Sequence, residues 1–311
     1  MVRLDNAWGS AVRLLGESLG RVGCMRPVQL GMLIGLLVVC TGPHALEGGY
    51  GPVELSAGSP WAAVGSLSVN GQLFSATLIG PHHLITAAHV VAGALPANVV
   101  FRSAVGTGFS SVAASIQVSP LFNGQNVDNL PGDPSVHADL AVVRLAHPAP
   151  PSLLPALPFD GALLGRILKL VSHGGSTTLA TMGENRVDVV FSDRRGQAAT
   201  YLFDFDGPDP SSNLLGPADA TTATLGPGRE ASLIKGDSGS AAFTEVDGQW
   251  WLAGVNTFQV HIGRGRGAGG VVLAPFRSWI AQTMREPPPV AAPSPEGEKR
   301  PSPRTQKAEG R

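Results

Sequence analysis

The pentapeptide Gly236-Asp237-Ser238-Gly239-Ser240 constrains this chain more than any other stretch, because its serine can do chemistry only with partners far away in sequence. A serine hydroxyl is a poor nucleophile near neutral pH unless an imidazole accepts its proton as it attacks. The imidazole in turn needs a carboxylate to fix its tautomer and balance the imidazolium. Leu84-Ile85-Thr86-Ala87-Ala88-His89 offers the imidazole, and Ala138-Asp139-Leu140-Ala141-Val142-Val143 the carboxylate. Fifty residues separate His89 from Asp139 and ninety-nine separate Asp139 from Ser238, so a fold that uses all three must bring distant segments to one cleft. Gly236 and Gly239 add a second demand. They permit backbone conformations that a side chain resists, which lets N–H groups converge beside the serine.

In motif order and spacing, from about Leu46 to Met284, the chain resembles the chymotrypsin-like (trypsin-fold) serine proteases. The resemblance implies an all-β fold: two antiparallel six-stranded β-barrels packed together, with a short C-terminal helix. It implies Ser238 as nucleophile, His89 as general base and acid, and Asp139 as the orienting carboxylate. The N–H groups of Gly236 and Ser238 would form the oxyanion hole. His89 and Asp139 would come from the first barrel and Ser238 from the second.

The same resemblance places Ser232, six residues before Ser238, at the base of a specificity pocket. A carboxylate there would select Arg or Lys; a hydroxyl does not. Thr257-Phe258-Gln259 resembles the edge segment that pairs with extended substrate backbone, although a structural role for it stays open. Gly263 to Gly270, with Arg264 and Arg266, would border the pocket. Leu233, Val271 and Val272 point to uncharged, mainly apolar substrate side chains, and an arginine swung inward would instead favour Asp or Glu. In the resembled family the residue at Asp237 accepts an ion pair from a freed N-terminus. Leu46-Glu47-Gly48-Gly49-Tyr50 stands where such a terminus would begin, its leading Leu departing from the usual Ile or Val. The other reading is a flexible start, with Asp237 held by backbone donors.

The residues themselves read as β throughout. Forty glycines and 26 prolines in 311 residues favour short strands and many turns over long helices. Asn70-Gly71 is a strong hairpin signal between Ala62–Val69 and Gln72–Ile79. Further strands are predicted at Leu84–Thr86, Val99–Ser103, Val112–Val118, Leu140–Leu145, Ile167–Ser172, Val187–Phe191, Thr200–Phe205, Ala241–Glu245 and Trp250–Val255, with a terminal helix over Phe276–Met284. The proline-rich stretch His147–Pro158 reads as a connection. The predicted organisation is an export signal over 1–45, barrels over 46–155 and 156–284, and a disordered Pro-rich charged tail over 285–311.

Met25-Arg26-Pro27, the apolar run Leu30–Val39 and the small residues to Ala45 have the layout of a secretory signal. Met25 is then an alternative start to Met1, and a buried helix or a membrane anchor is the other reading of the run. The expected location is secreted or periplasmic, with no stable membrane anchor after processing. Cys24 and Cys40, the two cysteines, precede the core region, which therefore has no disulfide. Phe74 and Val90 occupy the positions where the resemblance would place a cysteine pair, so apolar packing is expected to do the work of that bridge. A net charge of −1 gives no pull toward nucleic acid. The expected partner is a polypeptide substrate, the expected state a monomer, and no metal or cofactor is required. Asp128 and Asp133 could frame a calcium site, but a solvated loop explains them as well.

Rivals to His89 are poorly placed. His82 and His83 follow the Gly80-Pro81 turn, His137 reads as a surface residue, and His173 and His261 have no partner nearby in sequence. The leading expectation is an exported serine endopeptidase. The alternatives are esterase-like activity on the same triad and an inactive trypsin-fold binding module. An α/β-hydrolase is disfavoured by chain order and by Ser240, which stands where its nucleophile elbow has a glycine.

Overall fold

A computed structural model describes residues 45–286, apart from 104, 106–107, 123, 125–137, 154–155, 194, 207–212, 216–223, 227 and 263–264. Residues 1–44 of the predicted export signal, with Cys24, Met25 and Cys40, the residues Asp128, Asp133, His137 and Arg264, and the residues beyond 286 lie outside the described residues.

Two short strands, β1 (Glu47–Gly48) and β2 (Pro52–Val53), lead into β3 (Val64–Val69), β4 (Gln72–Gly80), β5 (His83–Thr86), β6 (Val99–Ser103), β7 (Phe109–Val118) and β8 (Ala141–Leu145). β3 and β4 are joined by Asn70 and Gly71, both at positive φ (50° and 84°), which is the backbone a two-residue hairpin turn demands. β3 to β8 close into a barrel in the order β3-β4-β5-β8-β7-β6. Leu67, Leu78, Ile85, Phe101 and Val143 fill it and are fully buried. A single helical turn, α1 (Ala88–Val91), follows β5 and carries His89.

The second half runs through β9 (Ile167–Ser172), β10 (Ala180–Arg186), β11 (Val189–Ser192), β12 (Ala198–Asp204), β13 (Ala231–Ser232), β14 (Ala241–Val246), β15 (Gln249–Ile262), β16 (Gly265–Val272) and α2 (Arg277–Arg285). It is a barrel-like sheet in the order β11-β12-β16-β15-β14-β9-β10-β2, so its last position is taken by a strand from the start of the chain. β1 pairs with β13 in register Glu47↔Ser232. Besides the two-residue strands β1, β2 and β13, the strands β10 and β16 are absent from the sequence expectation: β10 is hidden by its small and polar residues, and β16 by four glycines. Those glycines are a packing requirement: a Cβ on Gly267 would stand 2.6 Å from the Phe203 carbonyl, and one on Gly269 would collide with the Tyr201 carbonyl.

Aromatic edges join the halves. Trp61, just before β3, meets Phe243 of β14 and Trp250 of β15 edge-on at 5.2 and 4.7 Å. Phe74 and Val90 sit in the same apolar cluster. Phe276 and Ile280 also enter it beside first-barrel residues, and Gly80 leaves room for Met284, whose Cε would lie 2.8 Å from a Cβ there. Ile280→Ala should therefore cost about 2–5 kcal/mol of stability. Urea denaturation checks this, and a loss well under 1 kcal/mol would mean that α2 is not docked.

Asp188, Asp204, Asp206 and Glu230 are buried in the second half. Asp204 accepts hydrogen bonds from the Leu214 and Leu215 amides, and Asp188 from the Asp204 amide at 3.0 Å. Burial, aided by mutual repulsion, raises Asp188 against the Asp204 amide, pushes Asp206 up to about 6 against the Thr224 hydroxyl, and pushes Glu230 up to about 7 against the Leu225 amide and Thr224. Acids whose folded pKa exceeds the unfolded value bind more protons when folded, so their contribution to stability falls as pH rises from about 4 to about 7. Glu184 acts oppositely, since Lys169 and Arg229 overcome its burial and hold its pKa down. The melting temperature should drop between about pH 4 and about pH 7, and Glu230→Gln should flatten the drop. A melting temperature that rises over this range would contradict the assignment.

Candidate active site

α1 presents His89 to Asp139, which lies just ahead of β8. Asp139 Oδ1 accepts the His89 backbone N–H at 2.8 Å, and Oδ2 accepts Nδ1–H at 2.6 Å. A charge at the start of an apolar strand is costly to bury without partners, and Asp139 is only 5% exposed. These two donors meet that cost and fix the ring's tautomer. On the far side of the ring, Nε2 stands 2.9 Å from Ser238 Oγ. The structure thus brings His89, Asp139 and Ser238 together.

The turn that carries Ser238 is clamped on several sides. The Ser238 carbonyl accepts the Ser75 amide of β4 at 3.2 Å, Gly239 N–H donates to Asn256 at 2.9 Å, and Ser240 N–H donates to Asp237 at 2.9 Å. Gly239 has φ +82°, and a Cβ there would collide with Thr86 Oγ1 and the Ser75 carbonyl, so no other residue fits. Gly236 has φ +102°. The N–H groups of Gly236 and Ser238 make no hydrogen bond among the described residues.

Asp237 is fully buried. Its Oδ1 accepts the Ser172 hydroxyl at 2.7 Å, and its Oδ2 accepts the amides of Ile234 at 2.6 Å and Leu46 at 3.1 Å. Burial raises its pKa to about 6 against the pull of these donors. Leu46 and Ala45 are buried as well, Leu46 at a positive φ of 57°. Leu46 thus meets Asp237 as a backbone amide donor, beside that of Ile234. Ser172 is linked onward to Ser75 at 3.2 Å, and Ser75 Oγ accepts the His173 amide at 2.9 Å. Sequence reasoning missed both hydroxyls, since serines on strands carry no signal that separates a buried linker from an ordinary polar position.

Ser232 is buried on β13 beside β1. Thr257 falls at a bulge in β15 between Asn256 and Phe258, with Phe258 half-buried and Gln259 exposed. The Gln259 amide donates to the Leu233 carbonyl, which ties this edge to the segment before Ser238. Leu233, Val271 and Val272 are buried. Arg266 is paired with Glu47 and lies 5.7 Å over the Phe205 ring, so its guanidinium is already engaged.

Among the described residues, His82, His83, His173 and His261 do not join the triad. His82 Nδ1 faces the Leu145 carbonyl at 3.4 Å, and His83 sits by Arg144 with its pKa lowered by burial first and by that charge second. His173 is buried, its ring nitrogens outside hydrogen-bond geometry, and burial pushes its pKa down to about 4, so it stays neutral. His261 is exposed. Among the described residues no cluster of three potential metal ligands occurs, and no helix is long and apolar enough to cross a membrane.

Comparison with solved structures finds a likeness to neuropsin, a serine protease expressed in the limbic system of mouse brain. Identity is 18%, the TM-score is 0.49, and the match covers 75% of this chain and 98% of that one. Comparison with curated protein sequences returned no match. The sequence profile of the family described as Trypsin matches residues 53–280, well over half of the chain. That match spans His89, Asp139 and Ser238 together with both halves of the fold, and the chain belongs to the trypsin family of serine proteases.

Proposed function

We propose that the chain is an exported serine endopeptidase that hydrolyses peptide bonds through an acyl-enzyme. The observation that carries this reading is the unbroken series Asp139–His89–Ser238, with links of 2.6 and 2.9 Å. Ser238 Oγ attacks the scissile carbonyl carbon as its proton passes to His89 Nε2. The carbonyl electron pair moves to oxygen, where the N–H groups of Gly236 and Ser238 receive the oxyanion. Collapse expels the amine, which takes the proton from His89, and leaves an ester on Ser238. Water deprotonated by His89 attacks that ester, and collapse returns the proton to Ser238 and frees the acid. Asp139 keeps Nε2 the basic nitrogen and stabilises the imidazolium.

Ser232, Thr257, Phe258 and Gln259 would contact substrate, the last three along its backbone. Neutral Ser232 and apolar Leu233, Val271 and Val272 favour uncharged side chains before the cleaved bond, and the commitment of Arg266 to Glu47 disfavours Asp or Glu there. Ser238→Ala should lower turnover on an unfolded protein substrate by about 10⁴-fold or more, and His89→Ala nearly as much, because the triad acts as a unit. Circular dichroism should show both variants folded. Activity retained in Ser238→Ala would overturn the reading.

Cleavage after Ala45 would remove the export signal and convert the Leu46 amide into an ammonium at its present 3.1 Å from Asp237. An opposite charge there favours the ionised carboxylate, which neutral donors alone leave with a pKa near 6. A buried ammonium and carboxylate each need the other, so the pair would order the Gly236–Ser238 turn. Mass spectrometry of the secreted protein should find Leu46 first, and one added Met or Ala before it should reduce activity by about tenfold or more. Full activity with several extra residues ahead of Leu46 would rule the pairing out.

A further inference from the structure

Directly behind the Ser238 turn lies a chain of three fully buried polar side chains. The Tyr201 hydroxyl donates to Asn256 Oδ1 at 2.7 Å, and Asn256 Nδ2 donates to Ser240 Oγ at 2.8 Å. All three residues are 0% exposed, within a core of Ala241, Ala242, Val255 and Val271. An apolar filling would satisfy packing here without the risk of stranding a polar group. The surroundings are nevertheless cut to fit the tyrosine. A Cβ on Gly254 would collide with the Tyr201 ring, and one on Gly270 would lie 2.6 Å from its hydroxyl oxygen. Glycines on two different strands therefore clear the way for one phenol.

Asn256 meets the Ser238 turn through its backbone as well as its side chain. Asn256 N–H donates to the Ser240 carbonyl and its own carbonyl accepts Gly239 N–H, both at 2.9 Å. Its side chain binds Ser240 two residues past Ser238, and its neighbour Thr257 begins the β15 bulge that sets the Thr257–Gln259 edge. Loss of the Asn256 side-chain bond would loosen the Ser238 turn where it meets β15. Burial raises the Tyr201 pKa well above its ordinary value, which keeps the hydroxyl a donor across the working pH range.

We propose that Tyr201 and Asn256 are positioning residues, whose hydroxyl–amide–hydroxyl chain to Ser240 sets the placement of Ser238 Oγ and the oxyanion donors for the chemical step. The proposal rests on the serine-protease reading above. Misplacement of a nucleophile affects the transition state more than encounter with a ligand. Loss of the phenol hydroxyl should therefore slow the chemical step and spare binding.

The test is the kinetics of fluorophosphonate labelling of the processed chain, with the limiting rate and the half-saturating concentration measured separately, well below the melting temperature. Tyr201→Phe should lower the limiting rate by about tenfold, as expected for stranding one buried acceptor, with half-saturation changed by less than about twofold. Phe101→Leu, in the first barrel, should lower the melting temperature and leave both constants alone. Should Tyr201→Phe fail to fold, Ser240→Ala replaces it: loss of the acceptor strands the buried Asn256 Nδ2 donor and should lower the limiting rate by about tenfold, with half-saturation again little changed. Labelling of the folded variant at the wild-type rate would overturn the proposal alone. A wild-type chain that is not labelled at all would overturn the serine-protease reading and this proposal with it.

Discussion

Asp139 grips His89 at two points, accepting the backbone N–H at 2.8 Å and the ring N–H at 2.6 Å, and the rest of the cleft depends on that grip. A single contact would leave the ring free to turn about it. Two contacts to one carboxylate fix α1 against the start of β8 and aim Nε2 at a single place. The first barrel holds these two residues in register. β5 pairs with β8 through Thr86↔Ala141, which places the residues just beyond each strand end side by side.

Ser238 has to be delivered to that place from the other half, and the delivery is made by buried polar anchors on several sides. Asp237 ties the turn to Ser172, Ile234 and Leu46; Asn256 ties it to β15; Ser75 ties it to the first barrel. Each anchor is a hydrogen bond in a dry environment, where an unmade bond costs about 1–3 kcal/mol. The turn therefore has one well-determined position. Gly239, with no room for even a methyl group against Thr86 and Ser75, shows how closely the two halves meet there.

Much of this was legible in the sequence because nucleophilic catalysis restricts both residue types and their order. His89, Asp139 and Ser238 could be named from chemistry and spacing, and the Asn70-Gly71 hairpin from the φ values its turn requires. Strands with conventional apolar content, such as Val99–Ser103 and Ile167–Ser172, fell at their predicted bounds. Gly265–Val272 did not, because glycine lowers strand propensity while also permitting the close backbone approach that β16 needs. β15 ran past Val255 to Ile262, since a bulge at Thr257 lets the strand change course without ending. The anchors Ser75, Ser172, Tyr201 and Asn256 were hidden for a different reason. A buried hydroxyl or amide is recognised by its partners, and those partners lie 55 residues away for Tyr201 and Asn256 and 97 for Ser75 and Ser172.

The central claim is that Ser238 is made nucleophilic by His89 and Asp139. The most direct measurement is peptide mapping of the chain after reaction with a fluorophosphonate. The account expects one adduct per chain, carried by Ser238, with no labelling after heat denaturation. An adduct on any other residue, or none on a folded chain correctly processed at Leu46, would contradict it.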